Sequence, residues 1–316
     1  MRTAFVQALV ELARRDERIW LVVGDLGFNA LDPFIEEFPD RFINAGVAEQ
    51  NMTGLATGMA MSGKIVFTYS IGNFPILRCL EQIRNDVCYH HANVNVVSVG
   101  GGLAYGALGA THHCIEDLAI MRVMPHMTVV APGDPVEAEM ATRAIAEIPG
   151  PSYLRLAKTG EPRIHPAEVD FEIGRAITVR EGSDLTLIST GEMLYNTVKS
   201  AERLAEEGVH ARVLSMHTLK PLDVGAVLRA ARETGVIVTI EEHSVIGGLG
   251  GAVAEALAEL SDSPFALKRI AMREPFCSEV GSQAYLREAN NLSIEGIIGS
   301  INLLMKQVGS SRKVSI

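Results

Sequence analysis

The sequence is short of most features that would exclude or assign a function at once. Its 316 residues hold four cysteines, Cys79, Cys88, Cys114 and Cys277, with no C-x-x-C pair among them. That excludes a disulfide framework and a zinc site of ordinary spacing. Positive charge is in deficit: 28 Lys and Arg stand against 38 Asp and Glu, a formal net charge of −10. Nucleic-acid phosphates and anionic membrane surfaces repel such a chain, so neither is an expected partner. A small phosphorylated ligand needs only a local pair of cations. No apolar run approaches the roughly 20 residues of a membrane span. The opening stretch MRTAFVQALVELARRDERIW lacks the unbroken apolar core and small-residue cleavage site of a secretory leader. Its Ala4, Phe5, Ala8, Leu9, Leu12 and Ala13 recur instead at helical spacing. Repeats and low-complexity tracts are missing too, and the expected location is the cytoplasm.

What is present is an alternation of short apolar runs with helical patterns, in a length that suggests two domains. Strands are expected in IWLVVGD, KIVFTY, NVNVVSV and MTVVAP, then in DLTLIST, ARVLSM, VIVTIEE and FALKRIAM. These runs do not alternate polar with apolar, so they read as strands buried on both faces of parallel sheets covered by helices. Helix starts are marked at Asp134, followed by Pro135 and Glu137, and at Asp223. In GNFPILRCLEQIRNDV, Pro75 fits a first turn, with Ile76, Leu80, Ile83 and Val87 on one face. The expected fold is α/β, with a first domain over 1–165, a connection over 166–182 rich in charge and turn formers, and a second domain over 183–316.

Three signals do not hold up. GGLGGAVAEALAE follows a strand and opens a helix, but the third glycine of a dinucleotide fingerprint is Val253. VVGD continues with Leu26 where a magnesium-diphosphate motif has glycine, and no asparagine pair follows. The pairs His90-His91 and His112-His113 lack a companion at ligand spacing, so no metal site is expected. Two other stretches invite chemistry. In FINAGVAEQNM one acid, Glu49, sits in an apolar setting; it reads either as a helix-start acid or as a carboxylate buried for use. The glycine-rich SVGGGLAYGALGATHHCIED follows a buried strand, where open α/β sheets place ligands. Its histidine reads either as a general acid/base or as the cap of the next helix.

RFINAGVAEQNMTGLATGMAMSGK, GATHHCIEDLAIMRVMPHMTVVAPGDPVEA and VLSMHTLKPLD together resemble the transketolase family of thiamine-diphosphate enzymes. The resemblance spans essentially the whole chain and corresponds to that family's pyrimidine-binding and C-terminal domains. It implies that Glu49 hydrogen-bonds N1′ of the cofactor's aminopyrimidine. A low-dielectric pocket would keep that acid protonated, and the pyrimidine, shifted to its imino form, would generate the thiazolium ylide. By position Phe74 matches the aromatic that stacks on the pyrimidine, and Asp25 an acid near the cofactor. His112 matches the histidine that contacts substrate hydroxyls, while Arg78 and Lys158 match cations that hold a substrate phosphate. Lys158 replaces an arginine, keeping charge and losing the bidentate fork. His243 receives no role.

Departures from the family pattern bear on the substrate. The acid four residues before the active-site histidine is Leu108 here, and Gly100 and Gly101 stand where the family has a polar or basic contact. Tyr105 and His113 are the residues at hand to replace them. No GDG with paired asparagines exists to hold magnesium and diphosphate. The resemblance therefore implies an N-terminal partner subunit that carries that domain and its Mg2+, in an α2β2 assembly, with helix 50–61 as a surface for self-association. The expected activity is transfer of a two-carbon ketol unit from a ketose (phosphate) to an aldose. A deoxyxylulose-phosphate-synthase-like or oxo-acid dehydrogenase activity on the same scaffold is the alternative reaction. A non-catalytic regulatory subunit is the alternative of another class.

Overall fold

The computed structural model describes residues 1–314 apart from 159, 167–168 and 274–276, so two residues of the expected connection lie outside the described residues. Twelve strands run in chain order: β1 (Ile19–Val23), β2 (Phe42–Asn44), β3 (Ile65–Ile71), β4 (Val94–Val99), β5 (Thr128–Val130), β6 (Ser152–Leu156), β7 (Ile177–Arg180), β8 (Leu185–Ser189), β9 (Ala211–Ser215), β10 (Thr218–Lys220), β11 (Val236–Ser244) and β12 (Ala266–Met272). They form two sheets, ordered β10-β5-β6-β4-β3-β1-β2 and β12-β11-β8-β9-β7. Within each sheet every pairing is parallel except that of an edge strand, β10 on β5 and β7 on β9. The fold is therefore the expected one: two mostly parallel sheets covered by helices.

All eight expected strands are present. Of the four unexpected ones, β2 and β10 have three residues each, and β6, an interior strand, breaks its apolar run with Ser152 and Arg155. β7 falls inside the stretch read as a connection. It is an edge strand whose residues are half-buried or exposed, which is why no apolar run announces it. β10 belongs by sequence to the second half, yet it completes the first sheet.

Apolar packing crosses the same divide. One buried cluster contains Val22, Val66, Val96 and Tyr153 of the first sheet together with Ile188, Leu214 and Ile237 of the second. Two further clusters cover the outer faces, one under helices Arg2–Arg15 and Pro135–Glu147, the other under Met193–Glu206 and the long C-terminal helix. The segment after Asn73 is less regular than its pattern suggests. Short helical turns at Phe74–Leu77 and Leu80–Gln82 give way to a π-helical stretch at Ile83–Cys88. Ile76, Ile83 and Val87 are nonetheless buried along it.

Both sequence-marked caps form. Asp134 accepts from the Glu137 N–H at 2.9 Å and Asp223 from that of Ala226 at 2.8 Å. The other oxygen of Asp134 accepts the N–H groups of Ile164 and His165, which pins the chain leaving the first sheet. Glu137 reaches past the cap, accepting from Gly133 N–H at 2.6 Å and meeting His165 Nε2 at 2.8 Å. Burial pushes the His165 imidazole down, but the hydrogen bond and charge of Glu137 outweigh it and leave its pKa above the ordinary 6.5. Burial likewise pushes Glu137 up, and the bond from His165 with neighbouring donors brings it below 4.5. The histidine's contribution to stability is present below pH 6.5 and lost as pH rises through its raised value. That of the glutamate is present above pH 4.5 and lost as pH falls. Thermal midpoints of wild type and His165→Gln should therefore lie furthest apart between pH 5 and 6 and converge by about pH 9; parallel curves across that range would remove the charged pair from the account.

Candidate active site

The residues singled out from the sequence follow the carboxyl ends of parallel strands, which is where open α/β sheets gather ligands. Asp25 lies just beyond β1 and Glu49 beyond β2, while Phe74 follows β3. His112 sits in the loop after β4, and Lys158 just past β6.

Glu49 opens helix Glu49–Met61 and is also buried, its side chain 2% exposed. It is a helix-start carboxylate that is also taken out of water. Gly24 makes room for it, since a Cβ there would lie 3.2 Å from Glu49 Cγ. Its Oε2 accepts from Arg78 Nη1 at 2.9 Å. Arg78 is 47% exposed, and its guanidinium lies 4.8 Å from the Phe74 ring centroid. The arginine assigned from sequence to a substrate phosphate is therefore engaged with the acid assigned to the cofactor, a pairing that spacing could not reveal.

A row of aromatic contacts continues from there. The Phe74 and His112 rings meet edge to face with centroids 5.2 Å apart, and Tyr105 lies 6.4 Å beyond His112. Lys158 Nζ sits 4.7 Å from the Tyr105 ring centroid. The structure thus brings Glu49, Arg78, Phe74, His112, Tyr105 and Lys158 into one sequence of contacts, with a cation near each end. The Thr111 hydroxyl meets His112 Nδ1 at 3.0 Å. Asn73 Nδ2 donates to the carbonyls of Thr111 and His113, which ties the turn before Phe74 to the end of the histidine loop. Leu108 is 55% exposed on that loop.

Asp25 is held differently. It adopts a left-handed backbone (φ 56°), unusual for a residue with a side chain. Asn44 supports it from both sides: its Oδ1 accepts the Asp25 N–H and its Nδ2 donates to Asp25 Oδ1 at 2.8 Å. Neither Asn44 nor Asn73 was singled out from sequence, and no pattern in the sequence marks them. His113 is 3% exposed, and neither ring nitrogen has a hydrogen-bond partner among the described residues.

The residues fit an aminopyrimidine. They offer one buried carboxylate beside a half-buried aromatic ring, at strand ends, under a loop with a histidine. No group of three His, Cys, Asp or Glu able to hold a metal ion occurs among the described residues. No helix among those residues is long and apolar enough to cross a membrane.

Replacing Arg78 by Met leaves a buried carboxylate without its charged donor. With the arginine half exposed, the expected loss of stability is about 1–2 kcal/mol, below that of a fully buried pair. Adding Glu49→Gln should restore part of it, giving a clearly non-additive double-mutant cycle by chemical denaturation. Additive losses would mean that the 2.9 Å contact carries no energy.

Comparison with known proteins identifies the family. Residues 1–161 match the family model for the transketolase pyrimidine-binding domain, and residues 174–297 that for the transketolase C-terminal domain. The chain is 42% identical over 260 residues to one of the subunits of the apulose-4-phosphate transketolase from Phocaeicola vulgatus, covering 82% of this chain and 83% of that one. It is 40% identical over 299 residues to a 6-deoxy-6-sulfo-D-fructose transketolase chain from Clostridium sp. (strain MSTE9), covering 94% and 92%. A solved structure described as a split-gene transketolase, an inactive beta4 tetramer, superposes with a TM-score of 0.87 at 37% identity, covering 96% of this chain and 97% of that one. The chain therefore belongs to the transketolase family, as a transferase subunit of the split kind that carries the pyrimidine-binding and C-terminal domains.

Proposed function

We propose that this chain works with an N-terminal subunit in an α2β2 assembly, moving a two-carbon ketol unit from a ketose with an anionic end to an aldose. The observation that carries the reading is that buried Glu49 is linked through Arg78 to Phe74, which meets His112, beyond the ends of β2, β3 and β4. Thiamine diphosphate, on which the family depends, supplies the carbon nucleophile. The partner holds its diphosphate through Mg2+.

Glu49 holds a proton at the pyrimidine, for which Arg78 must release or share the carboxylate. Phe74 offers a flat apolar face to that ring, and Asp25, fixed by Asn44, borders the same end of the sheet. His112 works at the substrate: with Nδ1 engaged by Thr111, proton exchange with a hydroxyl or carbonyl oxygen falls to Nε2. Arg78 and Lys158 attract the anionic end of the sugar. Relatives named for a phosphorylated and a sulfonated sugar support an anionic end. Exposed Leu108 in place of an acid leaves an apolar surface on the histidine loop, which favours a donor with one hydroxyl fewer to be read. Helix Glu49–Met61 leaves Gly54, Leu55, Gly58 and Met61 exposed on one side, a close-packing surface suited to a second copy.

The test is calorimetric titration of thiamine diphosphate and Mg2+ into this chain alone and into its mixture with an N-terminal transketolase subunit, followed by assay on sugar phosphates. Binding only in the mixture is expected, with Glu49→Gln lowering kcat by about 10²–10⁴-fold. Tight binding to the lone chain would sink the two-chain reading, and consumption of pyruvate in place of a ketose would replace the reaction.

A further inference from the structure

We infer that Glu242, on the second sheet, is the positioning residue for the histidine loop of the first. This rests on the assignment of His112 to the substrate. The loop from Gly100 to Cys114 closes at its neck, where Gly102 and Cys114 exchange backbone hydrogen bonds of 2.8 Å in both directions. Just inside that neck, Glu242 Oε1 accepts the Leu103 N–H at 2.6 Å. The same oxygen takes Gln283 Nε2 at 2.9 Å, and Oε2 is paired with Arg287. Arg287 also binds Glu192 at 2.9 Å, so one guanidinium bridges two acids and fixes the carboxylate's direction.

The backbone of Glu242 serves the other side of the neck. Its carbonyl accepts Arg155 Nη2 at 2.9 Å, and that nitrogen also donates to the Cys114 carbonyl at 2.9 Å. Glu242 therefore reaches the first limb of the loop directly and the second through Arg155, bracketing His112 between them. The glycines are explained by this clamp. A Cβ on Gly101 would lie 2.2 Å from Arg155 Nε, and one on Gly102 2.4 Å from Glu242 Oε1. Farther out, the Gly106 carbonyl accepts from the Gly281 N–H at 3.3 Å. The second domain thus holds the loop along much of its length, with Glu242 at the point of closest approach.

A matched control lies one residue away. Glu241 is as buried as Glu242, but it accepts the N–H groups of Leu249 and Gly250 and forms none of these bonds to the loop.

The experiment compares Glu242→Met, Glu242→Gln and Glu241→Met in the full chain by deuterium exchange, and then in the two-chain assembly by steady-state kinetics. Glu242→Met should raise exchange across 100–114 by about tenfold while β8 and β9 stay protected. It should lower kcat by about 10–100-fold and leave thiamine diphosphate affinity within about twofold, since Glu49 and Phe74 lie outside the loop. Glu242→Gln keeps an oxygen for Leu103 but turns a donor toward Arg287, so exchange and kcat should fall between wild type and Glu242→Met. Glu241→Met should lose thermal stability without the loop signature. If Glu242→Met does not fold, Gly102→Ala, which crowds the carboxylate from the loop side, takes its place with the same expected signature.

Equal exchange profiles for the Glu242 and Glu241 variants would overturn the proposal, as would a Glu242→Gln variant no better than Glu242→Met. A selective rise at 100–114 with kcat unchanged would overturn it as a statement about the reaction. If the wild-type assembly moves no ketol unit, the reading under Proposed function fails, and the exchange comparison still decides whether Glu242 holds the loop.

Discussion

Polar side chains taken out of water must find partners, and at the end of β11 three in a row face that demand. Glu241, Glu242 and His243 are each 0–1% exposed, and an unpaired carboxylate at such a site would be costly. Each is satisfied by a different backbone segment. Glu241 caps helix Leu249–Leu260, Glu242 takes the Leu103 N–H, and His243 Nε2 accepts from Ala119 as helix Asp117–Val123 begins. Two of the three partners belong to the first half of the chain. The architecture around the site follows from this, because the loop that carries His112 and the helix after it are both tied to one strand of the other sheet.

The same rule orders the charges beneath the loop. Arg155 lies 3.0 Å from Asp117, which also accepts the Tyr153 hydroxyl at 2.6 Å; all three are buried. Glu192 is pushed up to about 7 by burial and by the charge of Glu242, with Arg287 opposing. Such a network gains little over an apolar core of equal volume, but it penalises displacement of any single member. That suits the floor of a site whose walls must keep their register.

The sheets were legible from sequence because eight strands are continuous apolar runs, and two helix starts carry Asp caps that form as read. What escaped was whatever depends on a neighbour far along the chain. β10 is three residues that pair with β5 across the divide, and β7 is a half-exposed edge without an apolar run. At the site, Glu49 and His112 stood out because an acid in an apolar stretch and a histidine after glycines are local patterns, whereas Phe74 came only by position from the family resemblance. The Arg78–Glu49 contact joins residues 29 apart, and Leu103–Glu242 joins residues 139 apart. The glycine run was read for its promise to a ligand. In the fold it admits the protein's own Tyr105, Arg155 and Glu242, a purpose visible only once those side chains are in place.

The apolar layer shared by the two sheets bears on how an enzyme of this family can be divided among polypeptides. Val66, Val96 and Tyr153 touch the same interior as Ile188, Leu214 and Ile237, and β10 would be torn from its sheet by a break at the connection. A gene boundary there would create two products, each with an oily face and one with a missing edge, both prone to clump before they met. Keeping the pair on a single polypeptide makes their encounter intramolecular. A boundary is tolerable only where the surfaces left behind can stay in water until a partner arrives.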